Sequence, residues 1–315
     1  MRRPLPIARA TLAGAAVFLL MTAAAARAQV AAAPATAHPA AAPSAAASSA
    51  TSSAPQADTA LQFVRDGRVV STLDLAALRR ACHEQTVAID DPYYGRRKSF
   101  RACPLAEVLQ IGFGAPPETL AGDEFLLRAL DGYTKPSTGA RLVEPGGFLA
   151  FADAERTPPD GPPAWEPIDR RQVNPGPYYL VWELSGDADP HRYPWPYQLA
   201  RIEIASLATE YPHLVPTTAS AGSPAQRGFE IFKSDCVACH ALNGEGGRVG
   251  PDLNVPRSIV EYRPREQIKA YVRDPQTFRY TTMPSHTYLT DADLDALIAY
   301  FDAMSRLKHD PGKAS

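Results

Sequence analysis

Short runs of alternating apolar and polar residues dominate the chain from Leu61 to about Leu207. "LQFVR" (61–65) and "RVVSTL" (68–73) flank Asp66-Gly67, a pair that suits a two-residue hairpin turn. "TVAID", "EFLLRALDGY", "GFLAFADA", "PYYLVWEL" and "QLARIEIASL" follow as further strands. Two helical patterns interrupt them, Leu73 to Ala81 and Pro104 to Gln110, the second with Pro at a first-turn position. The spacing predicts an α+β domain over 60–216 with an antiparallel or mixed sheet, then a linker, "TTASAGSPA", over 217–225. From 226 the pattern turns helical. Phe229 and Phe232 share one helical side, and Leu294, Leu297, Ile298 and Phe301 form an i, i+3, i+4, i+7 apolar face that Asp291 is placed to cap. The fold class is therefore two domains, α+β followed by all-α over 226–315.

The first residues change the picture of where the chain resides. Arg2 and Arg3, the apolar run Thr11 to Ala26 and the small-x-small Ala26-Arg27-Ala28 read as a signal peptide over 1–28, which places the mature protein in the periplasm. Residues 29–59 are almost wholly Ala, Pro, Ser and Thr and read as a disordered tether. Retention of the signal would make it a membrane tether. The formal net charge of −2 over 315 residues gives no basic excess for nucleic acid.

Candidate chemistry is concentrated in "SDCVACHALNGEGGRVGPDL" (234–253), where Cys236-x-x-Cys239-His240 spells C-x-x-C-H. A zinc site needs four ligands, and only Cys82 and Cys103 remain, without C-x-x-C spacing. A thioredoxin-like pair expects a βαβ context and leaves His240 unexplained. Haem attachment uses every residue: two thiols add across two vinyl groups, and the His is held beneath the iron. Pro251 offers a rigid carbonyl to accept the His240 Nδ1 proton. For the opposite face, Met283 and His286 compete, with Met283 preferred and an open site as the remaining alternative. Met283 sits in a loop before the last helix, whereas Met1 and Met21 lie in the signal and Met304 on that helix. Arg248, Arg279 and Tyr280 are candidates for haem propionates, or solvated surface.

With Gly228-Phe229 on a helix, C-x-x-C-H, Gly250-Pro251-Asp252-Leu253, Met283-Pro284 and Ala299-Tyr300 on a final helix, residues 223 to 307 resemble a class I cytochrome c. The resemblance implies one covalently attached haem c, His240 and Met283 as axial ligands, and N- and C-terminal helices crossing near Gly228 and Tyr300. It also implies single-electron exchange with redox protein partners such as an oxidase or dehydrogenase.

Cys82 and Cys103 read either as a disulfide or as two buried thiols. Leu61 to Ser206 resembles the sulfite-oxidase-like molybdopterin-binding fold. The likeness is carried by Pro104-Leu105 with Val108-Leu109, Asp131-Gly132-Tyr133, Gly176 to Val181, and Gln198 to Glu203 after Trp195. It departs where that family places its molybdenum-ligating Cys: Asp90-Asp91-Pro92 occupies the region, Cys82 falls too early and Cys103 too late. The domain therefore reads as a cofactor-free docking or scaffolding element, and the whole as an electron-transfer protein rather than a catalyst. The alternatives are a haem subunit of a molybdenum-type oxidoreductase and a structural subunit of a respiratory complex.

Overall fold

The computed structural model describes residues 60–169, 171–186 and 188–313. The expected signal peptide and tether lie outside the described residues. The first region runs β1 (Leu61–Arg65), β2 (Arg68–Leu73), α1 (Leu75–Ala81), β3 (Gln85–Asp91), β4 (Arg96–Pro104), α2 (Leu105–Phe113), β5 (Glu124–Ala129), β6 (Thr134–Thr138), α3 (Gly139–Leu142), β7 (Gly147–Asp153), β8 (Tyr179–Trp182), β9 (Leu199–Ile204) and α4 (Leu207–Glu210). It forms a five-stranded sheet in the order β2-β1-β9-β5-β6 and a four-stranded sheet β3-β4-β7-β8. β1 and β9 pair in parallel, and the remaining pairs in the two sheets are antiparallel.

The expected hairpin forms at Asp66-Gly67, whose φ values of 50° and 71° are both left-handed, as a tight two-residue turn requires. Asp74 caps α1 by accepting from Ala77 N at 2.6 Å. Two strands escape the alternation reading. β4 opens with Arg96-Arg97-Lys98, a run that looks solvated. Yet Lys98 is fully buried, with its ammonium held by Asp153 at 2.7 Å, Glu155 at 2.9 Å and Glu166 at 3.0 Å. β6 contains Pro136, which is tolerated because β6 is the sheet's edge and needs no second ladder.

The second region is α5 (Pro224–Ile231), a π-type turn over Phe232–Cys236, β10 (Ala241–Leu242), β11 (Glu245–Gly246), α6 (Ile259–Tyr262), α7 (Arg265–Arg273) and α8 (Asp291–Met304). It is helical only in part, since β10 and β11 pair and long turns join the helices. That corrects the all-α expectation: Asn243 and Gly244, with φ of 62° and 80°, turn the chain tightly enough to close a two-stranded ladder. The cap of α8 is Thr290, one residue before the expected Asp291. Thr290 Oγ1 accepts from Asp293 N, and the Asp293 carboxylate accepts from Thr290 N at 3.0 Å, a reciprocal box that fixes the helix start.

α5 crosses α8 at Gly228. A β-carbon there would lie 2.0 Å from Ala296 O and 2.7 Å from Tyr300 Cβ, so only glycine lets the helices approach this closely. The two regions share a core. Phe125 and Leu127 on β5 face the sheet interior, while Leu126, pointing the other way, belongs to the buried cluster that also holds Phe229, Phe232 and Tyr300. The Tyr300 hydroxyl donates to Leu214 O at 2.7 Å across the same seam. No described helix is long and apolar enough to cross a membrane.

Candidate haem site

α5 leads directly into the C-x-x-C-H segment. Its last turn widens to a π-type bond, Val237 N to Phe232 O at 2.8 Å, and this turn ends on Cys236. His240 N then donates to Cys236 O at 2.9 Å, closing a tight turn that holds the two thiols and the imidazole together. Burial pushes the Cys236 thiol well above its ordinary range and Cys239 up to about 11. These are protonated thiols at neutral pH, the reverse of the acidic thiolate that a thiol-exchange pair needs. Among the described residues no group of three or more His, Cys, Asp or Glu is placed to hold a metal ion, so a zinc set does not assemble around them.

His240 Nδ1 lies 2.9 Å from Pro251 O. A carbonyl oxygen only accepts, so Nδ1 carries the proton and Nε2 is left as the nitrogen with a free lone pair. Gly250 makes room for this ring: a β-carbon at that position would sit 2.4 Å from His240 Cε1. Gly250 N also donates to Cys239 O at 2.7 Å, tying the two segments face to face. Burial lowers the His240 pKa, with the Pro251 hydrogen bond pulling the other way, which favours the neutral form that can bind a metal.

Met283 is half-buried against the core of the helical region, its N–H donating to Thr281 Oγ1 at 3.2 Å. His286 is the more buried of the two, at 5% exposure, and its Nδ1 has no hydrogen-bond partner. Arg248, Arg279 and Tyr280 are exposed, and Arg279 Nε donates to the Tyr271 hydroxyl at 3.0 Å.

A haem c fits this donor set: two protonated thiols, an imidazole fixed through Nδ1, a glycine cradle against that ring, and an orphaned buried nitrogen on the far segment. Three contacts from the sheet region were not foreseen. Thr134 N donates to Ala238 O at 2.9 Å and Arg248 N to Gly132 O at 3.1 Å. Lys135 Nζ donates to Ser234 O at 2.6 Å. The β5–β6 hairpin thus clamps the attachment segment from about a hundred residues away in sequence, and no local pattern signals that pairing.

Residues 225–305 match the family model for Cytochrome c. Over 87 residues the chain is also 31% identical to the cytochrome c oxidase subunit 2 of Alkalihalophilus pseudofirmus, a match spanning 25% of this chain and 25% of that protein. The match supports a class I c-type cytochrome at the C-terminal end, with haem-based electron transfer as its chemistry. The sheet region lies outside it.

Proposed function

We propose that this chain is an exported mono-haem cytochrome that passes single electrons between protein partners, with the sheet region serving for docking and scaffolding. The observation that carries the reading is His240. Its Nδ1 is committed to Pro251 O directly after two protonated thiols, so Nε2 is presented in one orientation. Cys236 and Cys239 would hold the haem covalently, and His240 and Met283 would ligate its iron. When bound, the haem supplies reversible one-electron exchange at iron. The chain's own groups do the rest. Pro251 fixes the tautomer and strengthens the imidazole as a donor. Phe229, Phe232 and Phe301 exclude water from the interior side. Met283, as a sixth ligand, favours reduced iron and a comparatively high potential.

A second reading of the sixth position has its own support, the unpartnered buried Nδ1 of His286. The two part on one spectrum. Met283→Ala abolishes the near-infrared sulfur-to-iron band of the oxidised protein, and His286→Ala leaves it. The reverse result, or no such band in the parent, assigns the position to His286.

The sheet region is read as a cofactor-free relative of the sulfite-oxidase-like fold. Its two cysteines, Cys82 and Cys103, are joined in a disulfide, so neither sulfur is available to ligate molybdenum. A disulfide of this kind also suits an oxidising compartment such as the periplasm. Similarity to an oxidase subunit makes a terminal oxidase the acceptor to try first. Metal and haem analysis of the full chain, made with haem-attachment machinery, tests the whole. One haem per chain and no stoichiometric molybdenum are expected. Stoichiometric molybdenum, or absence of covalent haem, overturns the proposal.

A further inference from the structure

Three tyrosines of the sheet region converge on Cys239. Tyr93 follows β3, Tyr133 sits in the β5–β6 turn and Tyr197 precedes β9. Tyr93 and Tyr197 pack edge to face with ring centroids 5.6 Å apart. Each of the three phenols is shifted upward, by burial first and then by neighbours that include Cys239. Tyr93 nevertheless keeps 46% of its surface accessible. An aromatic ring left this open is apolar surface that a flat bound macrocycle could cover. The backbone agrees, because the hairpin carrying Tyr133 is the one that clamps Ala238 and Arg248. His191, from the same region, packs on Tyr288 with centroids 5.5 Å apart, and Tyr288 lies 5.9 Å from His286.

Resting on the haem reading above, we infer that Tyr93, Tyr133 and Tyr197 form a wall of the haem pocket over the Cys239 edge, so that both regions enclose one cofactor. A pocket for a flat, largely apolar macrocycle needs aromatic surface on the faces that its own helices leave open, and three phenol rings supply it. The sheet region then acts as part of the binding site, and electron exchange at that edge passes through or around these rings. Tyr179 extends the aromatic contact inward, 6.5 Å from Tyr93 and 6.4 Å from Tyr197, but lies a layer behind the wall.

Fluorine NMR of the full holoprotein labelled with meta-fluorotyrosine tests this. Single Tyr→Phe substitutions assign the signals while keeping ring packing. Between the ferrous and ferric states, the signals of Tyr93, Tyr133 and Tyr197 should shift or broaden several-fold more than those of Tyr94 and Tyr178. The Tyr94 hydroxyl is anchored on Glu166 O, and the field at Tyr178 comes from Asp74. Equal, small changes at all five, with one covalent haem present, overturn the wall and leave the cytochrome reading standing. Failure to attach haem overturns both.

Discussion

The sheet region and the helical region solve the same problem with different means. The sheet region closes its own core: Phe63, Phe100, Leu109, Phe125, Tyr179 and Trp182 are all buried within it. Its buried cation Lys98 has three carboxylate partners, and its two cysteines are bonded to each other. The helical region has shorter elements and leaves groups unspent: two free thiols, one imidazole with an open nitrogen, and a second imidazole buried without a partner. A buried polar atom without a partner costs about 1–3 kcal/mol. Such groups persist where a ligand engages them. Among the described residues the sheet region leaves one such side-chain atom, the Tyr178 hydroxyl, and the helical region leaves more, Asn254 Oδ1, Ser258 Oγ and His286 Nδ1.

The sharpest way to break that comparison is to remove the anchor. In a Cys236→Ala, Cys239→Ala double variant, stoichiometric covalent haem should fall to none by haemochrome assay. Hydrogen exchange should then rise across α5 and α8 while β4, β7 and β8 stay protected. Equal loss of protection in both halves would show that the shared seam at Leu126 and Tyr300, rather than haem, sets the stability of the helical region.

Lys98 tests the other half. Lys98→Met leaves the fully buried Asp153 carboxylate without its cation, a change worth about 3–5 kcal/mol. The loss should appear in denaturant unfolding followed by tryptophan fluorescence, since all three tryptophans, Trp165, Trp182 and Trp195, belong to the sheet region. The haem Soret transition should move less.

These two sites also mark the limit of what could be read from sequence. The C-x-x-C-H motif is legible because its residues are contiguous. Pro251 was legible because a rigid carbonyl eleven residues beyond His240 can reach back, and it does so at 2.9 Å. Strand β4 was not, because Lys98 becomes a core residue only through Asp153, Glu155 and Glu166, far along the chain. The choice between Met283 and His286 depends on burial that periodicity does not carry, and the clamp of Thr134 on Ala238 has no local signature.

Gly228 probes the helix crossing at smaller amplitude. In an open helix Gly→Ala stabilises by roughly 1 kcal/mol. Here the new methyl meets Ala296 O, so Gly228→Ala should destabilise the helical region by about 2–3 kcal/mol, read as a lower denaturant midpoint of the Soret transition. A neutral or stabilising result would mean that α5 and α8 cross less closely than this packing requires.

The smallest effect is in acid, and its sign follows from the cluster around Lys98. The Lys98 ammonium holds the Glu155 and Glu166 carboxyls below their ordinary 4.5. At Glu84 burial pushes up, but Arg79 and Arg101 outweigh it and the net shift is also downward. A carboxyl with a depressed folded pKa binds fewer protons folded than unfolded. Its contribution is therefore complete above pH 4.5 and is lost as pH falls through the folded value. Asp91 runs oppositely. Burial raises it above 3.8, so its contribution is complete below that value and is lost as pH rises through the folded one, which blunts the limb. Because Glu155 and Glu166 are partly solvated, screening leaves roughly 1 kcal/mol in all. The sheet-region transition should weaken by that amount between neutral pH and the acid side of 4.5, and in Lys98→Met most of the slope should vanish with the cation that created it. A slope unchanged in that variant would place the acid sensitivity on the Glu84 pairs instead.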